Sequence, residues 1–442
     1  MFCRTAISRS AIRLFLLSVF SFSAHAQHDM PQMNHDDMQM PGMNMGGNAA
    51  STFLMNLSSG TAMNPSGWAM PMIMKSVGSW QAMFMAQAFI IDTQQTGPRG
   101  GDKFYSSNWF MANAEREMGK TGAFQIQLML SLDPATMTDR RYPLLFQTGE
   151  TAFGKPLVDA QHPHDFIMSL GFQYARALNQ NTTLELYFAP VGDPALGPVA
   201  YPHRASALEL PQATLSHHWQ DSTHISNEVV TVGIAYKKIK LEASGFHGRE
   251  PNENRWNIDY GAIDSWSTRL WYFPRKNWAA QVSMGRLAQP EELESGDQLR
   301  TTASIEYSKP MGAGSWSSSV IWGRRHSTET KRNTNSYVVE SVLPVGAKNS
   351  LTGRAELVDK DELFQDQPGI EAQLDRTYGS TFRIGAYTIG YTRDIEIFRR
   401  VETGIGANIE TYSLPDATKP YYGSHPMSAN IFVRFRLKAA KS

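Results

Sequence analysis

The chain of 442 residues has a single cysteine, Cys3, and it lies in a segment that reads as a removable leader. Arg4, Arg9 and Arg13 precede or enter the apolar run IRLFLLSVFSF, and Ala24-His25-Ala26 supplies the small residues of a signal-peptidase site. Residues 1–26 are expected to be a cleaved secretory signal, and no lipoprotein box precedes Cys3. The remaining chain then has no thiol, which excludes disulfides, iron–sulfur clusters and zinc–cysteine sites. Net charge is also absent: 41 Lys and Arg balance 41 Asp and Glu. A nucleic-acid partner, which needs a basic face, gains no support from that balance. No apolar run of about eighteen or more follows the signal, so a transmembrane helix is excluded. No shift in composition marks a second globular domain.

What the chain does have is alternation. In AFQIQLMLSL, Phe124, Ile126, Leu128, Leu130 and Leu132 alternate with Gln125, Gln127, Met129 and Ser131, the period of a strand with one apolar face. QLRTTASIEY, VETGIGANIET and ANIFVRFRL repeat the pattern. The polar face carries Glu185, Lys240, Glu242, Arg300, Glu306, Arg354, Glu356, Glu402, Glu410, Arg434 and Arg436, more charge than a sandwich core tolerates. That suits a hydrated lumen with the apolar face turned to lipid. Between residues 80 and 438 about sixteen strands are expected, joined alternately by short turns such as GKTG, NQN and KK and by longer stretches, as in bacterial outer-membrane barrels. Phe124, Tyr174, Tyr236, Tyr272, Trp278, Tyr307 and Trp316 crowd the short-turn ends, where an aromatic girdle belongs. The fold class is therefore all-β: an antiparallel transmembrane barrel in the outer membrane of a Gram-negative bacterium. Residues 27–79 are expected to be a disordered periplasmic leader and 80–442 the barrel.

Twelve histidines are present, and LSHHWQDSTHI holds three of them. On the strand map His162, His164 and Asp165 close the loop 133–164, while His203, His217, His218, Asp221 and His224 lie in loop 191–224. His247 ends a strand. All fall at the outer mouth, where neighbouring loops converge, and together they are expected to form a rim metal site. Adjacent His217 and His218 are not both expected to bind one ion, so one of them supports the other. The alternative is that these histidines are solvated or pack the loops by hydrogen bonds.

The leader QHDMPQMNHDDMQMPGMNMGG adds His28, Met30, Met33, His35, Met38, Met40, Met43 and Met45 without apolar periodicity. Thioethers are soft ligands that favour Cu(I), and imidazole accepts Cu(II) or zinc as well, so copper is the expected ion and zinc the second choice. Met70, Met72, Met74, Met83 and Met85 are expected to face lipid or to pack. The signal, this leader and the barrel together resemble the copper-resistance B-type outer-membrane proteins of Gram-negative bacteria. The resemblance lies in organisation and in the leader, and implies periplasmic copper tolerance by binding or export, with a periplasmic metal-handling partner.

Two other functions compete. A general diffusion porin needs only the polar lumen, with homo-oligomers an open possibility. THISNE is similar to the H-x-S-N core of outer-membrane phospholipase A and lipid A deacylase, with His224 and Ser226 as base and nucleophile on the outward face. No third group orients His224 in the sequence, so an enzyme is not expected.

Overall fold

The computed structural model describes residues 47–312, 314–379 and 381–438. The signal segment and the leader residues His28, Met30, Met33, His35, Met38, Met40, Met43 and Met45 lie outside the described residues.

Sixteen antiparallel strands close into a barrel. They are β1 Trp80–Gln95, β2 Lys103–Met118, β3 Gly122–Leu130, β4 Ile167–Asn179, β5 Thr182–Gly192, β6 Ser226–Tyr236, β7 Ile239–His247 and β8 Ser265–Tyr272. There follow β9 Trp278–Leu287, β10 Gln298–Met311, β11 Gly314–Ser327, β12 Asn333–Val345, β13 Asn349–Lys360, β14 Phe382–Ile395, β15 Val401–Ser413 and β16 Met427–Leu437. Each strand pairs with the next, and β1 closes on β16 from Gln87↔Arg436 to Gln95↔Ser428. Below Gln87 the edge of β1 is taken over by a short strand, Ile73–Val77, which pairs Ile73↔Phe84 to Val77↔Trp80. That strand covers the ladder groups of β1 that β16 is too short to reach.

The alternation of the sequence is the alternation of the wall. In β10, Leu299 and Ile305 point outward while Arg300, Thr302, Ser304 and Glu306 are buried inside. Leu186, Val232, Ile389 and Ile431 are likewise exposed on the outer face. A continuous apolar exterior of this size is a liability in water and the source of stability in lipid. Trp278, Tyr307 and Trp316 form a cross-strand ladder at the short-turn end, with ring centroids 4.7 and 5.3 Å apart.

The inside differs from a hydrated lumen. Residues 47–72, expected to be part of a disordered leader, are folded into the barrel. Helix α1, Ala49–Met55, is capped by Asn48, whose Oδ1 accepts the Ser51 N–H at 3.0 Å. Its buried face, Ala50, Phe53 and Leu54, packs on Ala123 and Ala175, two small wall residues that leave room for a helix. The connection 193–225 enters the lumen from the other end and is buried along nearly its whole length. The inward charges hold these two segments in place. Lys240 donates to the Thr61 carbonyl at 2.7 Å, and Arg269 to the Gly197 carbonyl at 3.0 Å. Arg354 donates to the Gln212 carbonyl at 3.2 Å, and Glu356 accepts the Leu215 and Ser216 N–H groups at 3.2 and 3.1 Å. Backbone groups that enter a barrel without secondary structure need partners there, and the polar face supplies them.

Helix Pro368–Tyr378 precedes β14 and sets its start at Phe382. The connection between β11 and β12 is short, since both strands run on to Ser327 and from Asn333.

Candidate functional site

The loop histidines are drawn inside the barrel instead of standing at its rim. Connection 193–225 turns back through a single helical turn, His217–Gln220, which puts His217 one turn from Asp221. Asp221 is the hub. Its Oδ1 lies 2.8 Å from His217 Nδ1, its Oδ2 accepts the Tyr201 N–H and the Arg204 guanidinium at 2.9 Å each, and its carbonyl lies 2.9 Å from His224 Nδ1. The partner connection, 131–166, contributes His164, whose ring bridges Asp133 Oδ2 at 2.8 Å and the Tyr201 hydroxyl at 3.0 Å. Ring centroids of His217 and His164 lie 5.2 and 5.6 Å from that of His224, whose Nε2 has no hydrogen-bond partner. His162, His164, Asp165, His217 and His224 line one cavity of about 20 Å³, room for a water or an ion.

Burial holds the His224 imidazole well below its usual range, helped by nearby His217 and His164. Burial does the same to His162, with Arg255 adding to it, and takes His203 down to about 3. His217 is also lowered by burial, against the pull of Asp221. Burial alone would raise Asp221, but His217 and Arg204 outweigh it and hold the carboxylate ionised. His162, His203, His217 and His224 are thus neutral imidazoles at neutral pH, the state a metal requires.

The expected single site is divided. His162 contacts Glu150, and Asp165 is engaged by Arg255 at 3.5 Å. His218 sits apart, with Glu150 Oε1 3.3 Å from Nε2 and Glu250 Oε1 3.6 Å from Nδ1. His203 points the other way, its Nε2 3.2 Å from Met129 Sδ and its ring 4.6 Å from Trp109. His247 stays out of the group, at the rim beside the Ala262 carbonyl and Asp264.

Behind His203 lies a sector of wall that differs from the rest. Met55, Met70, Met72, Met83, Met85, Met111, Met129 and Met168 form one buried cluster with Trp68, Val191, Ala205 and Ile225. Met83 and Met85 face the lumen, not lipid, because Phe84 takes the outward position between them. Their inward neighbours are mostly amides, Gln87, Asn113, Gln125, Gln127 and Gln173, with one buried acid, Glu115. Met111 Sδ accepts from Gln127 at 3.5 Å. Residue-by-residue reading missed Met111, Met129, Met168, Tyr201, Asp133, Glu150 and Glu250. The inward parity of Met129 with Gln125 and Gln127 was the one signal that marked a lumen methionine.

The His224-x-Ser226 pair does not face outward. Between Asn227↔His247 and Val230↔Gly245 strand β6 carries one extra residue, and Glu228 has φ +49°. This bulge reverses parity, so the strand that points Val230 and Val232 outward buries Ser226, whose hydroxyl donates to the Thr223 carbonyl at 2.9 Å.

A closed barrel of sixteen strands with an apolar exterior and an engaged polar interior defines an outer-membrane β-barrel of the porin-like kind. The chain is similar to the anion-selective porin from Comamonas acidovorans, at 10% identity over 81% of this chain and 100% of that one, with a TM-score of 0.50. It is equally similar to Salmonella typhi OmpF, solved in complex with daunomycin, at 8% identity over 83% of this chain and 100% of that one, again with a TM-score of 0.50. At these identities the likeness is one of fold. No protein-family model and no characterised protein sequence matches the chain.

Proposed function

We propose that the protein binds copper as Cu(I) inside its lumen and passes it across the outer membrane of a Gram-negative bacterium. The observation that carries this reading is the inner sector with its eight buried methionines, reaching His203 at Met129 and leading toward His217 and His224. Thioethers are weak donors for hard ions and good ones for Cu(I), and neutral imidazoles extend the path. The leader, with His28, His35 and its six methionines from Met30 to Met45, supplies the same donors as a capture segment. A periplasmic partner that hands over or receives copper fits this scheme.

Leucine fills nearly the volume of methionine without its sulfur. The quadruple variant Met83→Leu, Met85→Leu, Met111→Leu, Met129→Leu is expected to fold and to bind fewer Cu(I) ions than the parent in anaerobic titration. Identical Cu(I) stoichiometry and affinity in the two proteins would reduce the sulfurs to packing. A peptide of residues 27–47 is expected to take up Cu(I) and to lose it when its methionines become leucines.

The likeness to two porins favours a second reading, a general diffusion channel. The folded segments 47–72 and 193–225 fill the space such a channel needs. Conductance separates the two readings: a diffusion porin conducts steadily in potassium chloride and a filled barrel does not.

A further inference from the structure

Glu150, His218 and Glu250 come from three separate connections, 131–166, 193–225 and 248–264. One ligand atom from each lies within 4.8 Å of the other two. His218 is 1% exposed, and neither of its ring nitrogens makes a hydrogen bond. A fully buried imidazole that faces carboxylates at 3.3 and 3.6 Å without hydrogen-bond geometry is poorly satisfied by the protein alone, and an ion on one of its nitrogens would engage it. Glu291 adds a third carboxylate, with Oε1 3.9 Å from His218 Nδ1 and Oε2 unpaired. Both carboxylates are held in place by neighbours. Arg255 takes Glu150 Oε2 at 3.1 Å and leaves Oε1 facing His218, while the Ser222 hydroxyl and Arg300 donate at 2.9 and 3.4 Å to Glu250 Oε1, the oxygen nearest His218. The cavity of about 20 Å³ borders this group through Glu150, His217 and Glu250.

We propose that Glu150, His218 and Glu250 bind one divalent first-row transition ion, which ties the lumen connection 193–225 to two outer connections. One imidazole and two carboxylates make a harder donor set than the thioether sector, and zinc suits it. His162, whose Nε2 contacts Glu150 Oε1, is the nearest fourth donor. The site shares no ligand with the methionine sector, so it stands without the copper reading.

The test uses the full chain purified in detergent, with zinc chloride as probe and metal content read after equilibrium dialysis. The parent is expected to hold one zinc more per chain than the Glu150→Gln, Glu250→Gln double variant, with affinity at that site falling on the order of 100-fold. The double variant should keep every Cu(I) ion that the methionine-to-leucine variant loses, so the two proposals fail separately. A parent that takes up no more zinc than the double variant overturns the site. Should the double variant not fold, zinc X-ray absorption on the parent at one equivalent decides. A shell of one or two imidazoles with oxygens at about 2.0–2.2 Å supports the site. Sulfur, or three or more imidazoles, rejects it.

Discussion

At the scale of single residues, the buried acid Asp193 shows how closely the two lumen segments are joined. It accepts the Ser59 hydroxyl, so it links the N-terminal segment to the start of connection 193–225. Burial pushes its carboxyl from the ordinary 3.8 up to about 7, against the pull of Arg269 and Ser59. Between those values the folded protein keeps a proton that the unfolded chain has lost, so stability falls as pH rises, by roughly 1.4 kcal/mol per pH unit. Asp193→Asn keeps an oxygen for Ser59 and removes the titration. Thermal unfolding in detergent at pH 5 and pH 8 is expected to show the variant gaining on the parent as pH rises; a parallel loss in both proteins contradicts this. The histidines stood out one by one in the sequence, but their partners did not. Glu150 and Glu250 stand far from His218 in the chain, and no local spacing brings a carboxylate to an imidazole across three connections. The outward reading of Ser226 failed because a bulge changes parity with no mark in the sequence beyond Glu228 itself.

Among the elements, the strands were the most legible part, since a wall with lipid on one side and polar groups on the other must alternate. What the alternation could not tell is what the polar face touches. Its arginines and glutamates read as the lining of a water-filled lumen, and they instead hold connection 193–225. Arg204 is the clearest case: fully buried, it donates to Glu340 at 2.6 Å, to Asp221 at 2.9 Å and to the Val199 carbonyl at 2.9 Å. Arg204→Ala takes the guanidinium from buried Asp221 and leaves Glu340 with Arg354 alone, a loss of about 3–5 kcal/mol. The barrel ladder does not depend on Arg204, so the loss falls on the loop. Planar-bilayer recordings are expected to show larger and more frequent openings in the variant than in the parent; unchanged conductance would mean the connection is held elsewhere. The N-terminal segment was misread for a similar reason. Its polar, small-residue composition lacks periodicity, and its order comes from distant contacts, such as Gln173 donating to the Gly60 carbonyl at 2.8 Å.

Taken as a whole molecule, the barrel divides its inner wall by chemistry. Strands β5 to β16 carry many charges that engage the lumen segments, whereas β1 to β4 present mainly methionines and amides, with the single buried acid Glu115. The length and order of strands were readable from local pattern, but this division was not, because it appears only when Met83, Met111, Met129 and Met168 from four strands meet. A lumen filled with protein and lined on one side by sulfur should be selective for a soft ion over neutral solutes of similar size. The most direct measurement is flux into anaerobic proteoliposomes that hold a chromogenic Cu(I) chelator, run beside arabinose permeation in the same preparation. Cu(I) is expected to enter the parent vesicles well above the protein-free rate while arabinose does not, and the methionine-to-leucine variant is expected to lose the copper entry without gaining sugar entry. Arabinose entering as readily as copper, with the variant behaving like the parent, would contradict the account and make the protein a diffusion porin.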